Sequence, residues 1–163
     1  GEHRRVRNHK RQAGSRRTGP QQPMIGELHH YGVTVSEMEE ALGFYRDALG
    51  LSVSERLSFA SEEFSTFVGV EGVDVDIAFL DAGGGAVELL EYAAPPGGDA
   101  NDGVANNDVG AAHVCLEVPD IEAVYDELNG DVEFLSPPQR LSNGARVAYV
   151  FDPDGNVVEL LEG

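Results

Sequence analysis

The sequence predicts an α+β fold built from two copies of one strand–helix–strand–strand–strand unit. Three observations carry the prediction. The pentapeptide Val-Glu-Leu-Leu-Glu occurs twice, at 87–91 and 158–162. His30-Tyr-Gly-Val-Thr-Val35 followed by SEMEEA aligns with His113-Val-Cys-Leu-Glu-Val118 followed by PDIEAV. Between the halves, AAPPGGDANDGVANND (93–108) is Pro, Gly, Asn and Asp with few apolar side chains, the composition of a linker.

The elements follow in order. IGELHHYGVTV (25–35) is strand-like, and SEMEEALGFYRDALG (36–50) is an amphipathic helix. Ser36 suits its N-cap, acids crowd its first turn, Met38, Leu42, Tyr45 and Leu49 recur at helical spacing, and Gly50 ends it. Strands are expected at about 51–59, 73–80 and 86–92, which leaves 60–72 without an element. The second copy has a strand at 111–118 and a helix at 119–130 with Pro119 near its start. Strands at about 132–135, 145–151 and 157–162 complete it, the last two joined by the hairpin turn DPDGN (152–156). The first module therefore runs over about 25–94, the linker over 95–108 and the second module over about 109–162.

Charge is distributed unevenly. Seven of the 11 Lys and Arg lie between Arg4 and Arg17, in a basic extension (1–23) with too few apolar residues to fold alone, which is expected to be disordered. From Met24 onward, four basic residues stand against 28 acidic ones, a balance of −24. Such a surface disfavours nucleic acid and anionic membranes as partners, and it reads as halophilic, adapted to salt that screens self-repulsion. No stretch approaches a membrane span, and the single Cys115 precludes an internal disulfide and fits a reducing cytoplasm.

Period-2 alternation sorts the strand residues by face. Val33 and Val35, Val114, Leu116 and Val118, Val87 and Leu89, and Val158 and Leu160 are expected to pack on the helices, as are Val73, Val75, Ile77 and Phe79. His30, His113, Glu88 and Glu159 fall on the opposite face. Each half thus offers one imidazole and one carboxylate, and two such pairs suit one Zn, Ni, Co or Mn ion. A cation also removes the cost of burying the carboxylates. His29, Glu91 and Glu162 read as edge or surface residues. Alternation places Arg146, with Ala148 and Val150, on the cleft side, and Cys115 reads as filler rather than nucleophile.

The motifs LHHYGVTVSEMEEALGFYRDALGL, AVELLEY, AAHVCLEVPDIEAV and YVFDPDGNVVELLE together resemble the vicinal oxygen chelate superfamily over about 25–162. The resemblance implies paired βαβββ modules (the glyoxalase/bleomycin-resistance/extradiol-dioxygenase fold) whose curled mixed sheets enclose a metal cleft. It implies ligands at His30, Glu88, His113 and Glu159, and a metal that stabilises an enediolate or enolate while a carboxylate moves the proton α to a carbonyl. Glu159 is the first candidate for that base and Glu88 the second. The expected activity is a glyoxalase I-like lyase acting on a thiol-derived hemithioacetal, with a methylmalonyl-CoA epimerase-like enzyme as first alternative. A drug-resistance-type protein that binds a small molecule without chemistry is the other. A small carbonyl or thioester substrate and a homodimer are the expected partners.

The charge imbalance predicts that the melting temperature rises as KCl is taken into the molar range; a flat or falling curve would contradict the halophilic reading.

Overall fold

The computed structural model describes Gly19 and residues 24–163, so the rest of the basic extension lies outside the described residues. Two mixed sheets share a few short helices, which is the α+β class expected. The first half contains β1 (His30–Thr34), α1 (Met38–Leu42), β2 (Ser52–Phe59), α2 (Glu62–Val68), β3 (Asp74–Asp81) and β4 (Ala86–Ala94). The second contains β5 (His113–Glu117), α3 (Ile121–Leu128), β6 (Glu133–Phe134), β7 (Gln139–Arg140), β8 (Arg146–Phe151) and β9 (Val157–Glu162). The sheet orders are β1-β4-β3-β2 and β5-β9-β8-β6, with β7 also paired to β8. In each half the first strand runs parallel to the last, and the remaining neighbours are antiparallel. No helix among the described residues is long and apolar enough to cross a membrane.

Local chemistry explains most of the boundaries. β1 begins five residues later than expected because β4 begins at Ala86, opposite His30, leaving Ile25 and Leu28 exposed and unpaired with a strand. The first helix passes after one α-helical turn into a π-helical stretch, Gly43–Ala48, and the chain reverses at Gly50 with φ +81°. Ser36 is not its cap. It donates instead, through its backbone N–H and its hydroxyl, to Asp154 in the second half.

The last glutamate of each Val-Glu-Leu-Leu-Glu strand is not a surface residue. The Met38 N–H at the start of α1 donates to Glu91 Oε2, and the Ile121 N–H at the start of α3 donates to Glu162 Oε1 at 3.0 Å. Each carboxylate satisfies an orphan donor where the helix dipole favours negative charge. The repeated pentapeptide therefore caps its own helix in both halves.

Two expectations about faces are corrected. Val75, Ile77 and Phe79 lie opposite Tyr92, Leu90 and Glu88, so they share the glutamate's face rather than the face of α1. The reason is α2, which the sequence reading left without an element: its Phe64 and Val68 cover that face and form a second core with Val73, Val75 and Ile77. The helix carried its own signals, with Ser61 Oγ accepting from the Phe64 N–H at 3.2 Å and Gly69 ending it at φ +72°. Arg146 is also misplaced by one residue. It pairs in register with Glu162, and its neighbours Ala148 and Val150 are buried in the core, so Arg146 stands on the helix side and not at the cleft.

One main core joins the halves. Met38, Leu42 and Tyr45 from the first helix, Leu80 and Leu89 from the first sheet, and Ile121, Val150, Val158 and Leu160 from the second half belong to one buried cluster. The DPDGN turn fastens it. Asp152 is 4% exposed and accepts from the Tyr45 hydroxyl (2.9 Å), from the Asp154 and Asn156 backbone N–H groups, and from Asn156 Nδ2. Burial raises the Asp152 carboxyl above its usual range while those hydrogen bonds pull it down. Burial beside Asp152 also raises the Tyr45 hydroxyl, which keeps it protonated and donating.

Asp152→Ala leaves several buried donors unpaired and is expected to cost about 3 kcal/mol, and Tyr45→Phe about 1–2 kcal/mol, read as shifts of the denaturant midpoint. Equal and negligible shifts would show that this junction does not hold the halves together.

Candidate metal centre

Each half builds the same pair by the same route. The parallel register sets Gly32 beside Glu88 and Cys115 beside Glu159. Two residues upstream, and so on the same face, stand His30 and His113. His30 Nε2 lies 3.4 Å from Glu88 Oε1, and His113 Nε2 lies 3.1 Å from Glu159 Oε1. The imidazole side chains are 36% and 38% exposed and the carboxylates 14% and 21%, so each pair opens outward from a partly buried base.

Aromatic rings flank both pairs. Phe79, opposite Glu88, meets His30 edge-on with centroids 5.3 Å apart; Tyr149, opposite Glu159, meets His113 at 5.0 Å. The second ring nitrogen of each histidine is also engaged. Tyr149 Oη lies 3.4 Å from His113 Nδ1, and His29 Nδ1 lies 2.7 Å from His30 Nδ1, one of that pair carrying the proton. Engaging Nδ1 fixes the ring and leaves Nε2 toward the carboxylate, as in the outer shell of many metal sites. His29 is therefore exposed but not idle.

Cys115 is exposed on the same face, not buried filler, and its thiol donates to Glu159 Oε2 at 3.4 Å. Desolvation, that hydrogen bond and the charges of Glu159 and Glu117 push the thiol up to about 11, so it is a protonated donor and not an activated nucleophile. Burial and the Glu159 charge raise the Tyr149 hydroxyl as well.

Tyr149 and Phe79 escaped the sequence reading because the phases of β8 and β3 were each set one residue out. For β8 the signal was present: a hairpin closing on residues 152–156 pairs Phe151 with Val157, which sets Tyr149 opposite Glu159.

The structure brings His30 to Glu88 and His113 to Glu159, and it does not bring the two pairs to each other. Among the described residues no three of His, Cys, Asp and Glu gather as one metal would need. The shared core explains this. It lies against the helix sides of both sheets, and the two pairs stand on the faces turned away from it.

Known proteins share this arrangement of strands. A glyoxalase family protein from Bacillus cereus superposes with a TM-score of 0.78 at 20% identity, covering 88% of this chain and 98% of its own. Methylmalonyl-CoA epimerase from Mus musculus is 32% identical over 143 residues, spanning 83% of this chain and 72% of the relative. A probable lactoylglutathione lyase from Synechocystis is 29% identical over 140 residues, spanning 83% and 94%. The family described as Glyoxalase/Bleomycin resistance protein/Dioxygenase superfamily matches residues 27–160, nearly the whole of both repeats. With its doubled unit and parallel first and last strands, the chain belongs to that superfamily.

Proposed function

We propose that the chain is a metal-dependent enzyme that moves a proton α to a carbonyl, with His30, Glu88, His113 and Glu159 as the metal ligands. The observation that carries this reading is the matched pair in each half: an imidazole Nε2 within 3.4 Å of a carboxylate oxygen, with Nδ1 already engaged elsewhere. Two imidazoles and two carboxylates fit one Zn, Ni, Co or Mn ion. Such an ion would supply Lewis-acid polarisation of the substrate's oxygens. Because the pairs stand apart within one chain, the four ligands assemble in a homodimer, the first half of one copy facing the second half of the other.

Glu159 is the favoured base. The Cys115 thiol donates to its Oε2 and fixes its orientation, and a carboxylate so oriented can accept a proton from carbon and return it. Glu88 takes the opposite side of a substrate held between the facing halves. The ring of Phe79 packs against His30 and that of Tyr149 against His113, which restricts how far either imidazole can swing. The favoured substrate is a hemithioacetal, which makes the enzyme a glyoxalase I-like lyase. A second reading, epimerisation of a 2-methylmalonyl thioester, is supported by the 32% identity to the mouse epimerase.

Solvent deuterium exchange at the α-carbon, followed across a panel of hemithioacetals and thioesters, separates these readings. Exchange with one class names the substrate family. Glu159→Gln should slow it by at least about 100-fold. Binding without exchange for any member would sink the enzymatic reading and leave a small-molecule binding protein.

The dimeric arrangement predicts complementation. His30→Ala and His113→Ala homodimers should each be inactive, and mixed heterodimers should regain activity, because one of their two sites draws both halves from intact sequence. Mixtures as inactive as their parents would show that the site forms within one chain.

A further inference from the structure

We infer that Gly32 is a positioning residue for the Glu88 carboxylate, and that Cys115 fills the equivalent place in the second half with the opposite strategy. The inference rests on the metal reading above. Gly32 lies in the middle of β1, where glycine weakens a strand and signals the close approach of another group. Its φ is not in the left-handed region, so backbone conformation does not require glycine there. Space does. A Cβ at residue 32 would stand 2.9 Å from Glu88 Oε1, closer than any ordinary contact, and 3.7 Å from Leu90 Cδ1. The carboxylate lies over the strand where a side chain would otherwise be, and it is only 14% exposed.

The corresponding position of the second half is Cys115, in the same register with Glu159 as Gly32 with Glu88. Here a side chain is present, and the carboxylate stands off with Oε2 3.4 Å from Sγ and is 21% exposed. One half sets its carboxylate by an empty space, the other by a hydrogen-bond donor. The two glutamates, equivalent by repeat, thereby meet different neighbours, and their unequal exposure separates a seated ligand, Glu88, from a more accessible base, Glu159.

The atom a new methyl would meet is the far end of a flexible side chain, so Gly32→Ala displaces the carboxylate and spares the fold. Cobalt(II) titration of the full chain, read by calorimetry, tests this. Gly32→Ala should weaken Co²⁺ binding by about 10–100-fold, the range for lost support around a ligand, with no fall in melting temperature. Gly43→Ala, where an added Cβ meets nothing within 4 Å, should bind as wild type. In a Glu88→Ala background, Gly32→Ala should cause no further loss, because the residue acts through that carboxylate. Wild-type affinity in Gly32→Ala, or losses that add in the double variant, would overturn the inference while leaving the metal reading intact. A wild-type chain that binds no Co²⁺ would overturn both.

Discussion

The parallel pairing of the first and last strands in each half is the constraint on which the rest depends. A parallel pair cannot be closed by a tight turn, so a crossover must intervene, and here it carries the helix and the other strands of the unit. The pairing also fixes chemistry. Val33 with Leu89 and Leu116 with Leu160 lock the register from the buried side. A slip of one residue would turn both carboxylates into the core and their leucine neighbours out of it. The His–Glu pairs are therefore held by hydrophobic packing on the far face. The same strands end in Glu91 and Glu162, which cap α1 and α3, so one pentapeptide sets a core contact, a candidate ligand and a helix start at successive positions.

Much of this was legible in the sequence because it is doubled. The repeat located the strands of both halves except the short β7, the helices after β1 and β5, and the alternation that separates Glu88 from Val87 and Leu89. What escaped detection lies where the two copies differ or where both faces are apolar. Strand β3 carries Val75, Ile77 and Phe79 on one face and Ala78 and Leu80 on the other, and alternation cannot say which set meets α1. The answer depended on α2, which the second half lacks among its elements. The capping by Glu91 and Glu162 was hidden for another reason. Each spans a separation in sequence, 53 and 41 residues, that no local rule reaches.

The two halves share a pattern and differ in its finish. Where the first half has Phe79, Gly32 and His29 around its pair, the second has Tyr149, Cys115 and no adjacent histidine. In both halves a side-chain hydrogen bond holds the histidine, but the carboxylate of the second pair is met by a thiol donor whereas that of the first is closely packed over a glycine. A site made from two identical halves would have no basis for assigning its carboxylates different work. On the proposed reading, these differences distinguish the two carboxylates without disturbing the strands that carry them.

The shared core then determines how such a site can be completed. It ties the helix sides of the two sheets together, with Tyr45 and Asp152 at its edge, so neither sheet can turn its outer face toward the other without breaking the main buried cluster. On the proposed reading, a second copy must supply the facing half. Two domains that each carry −24 repel one another, and bringing four charged or polar ligands together adds to that cost. Two effects offset it. A divalent cation neutralises the two carboxylates where they meet. In salt near 1 M, where the screening length is about 3 Å, the remaining surface charge acts only over contact distances. An acidic surface and an acidic metal site are on this view compatible in one molecule, because salt screens the first and the bound ion neutralises the second.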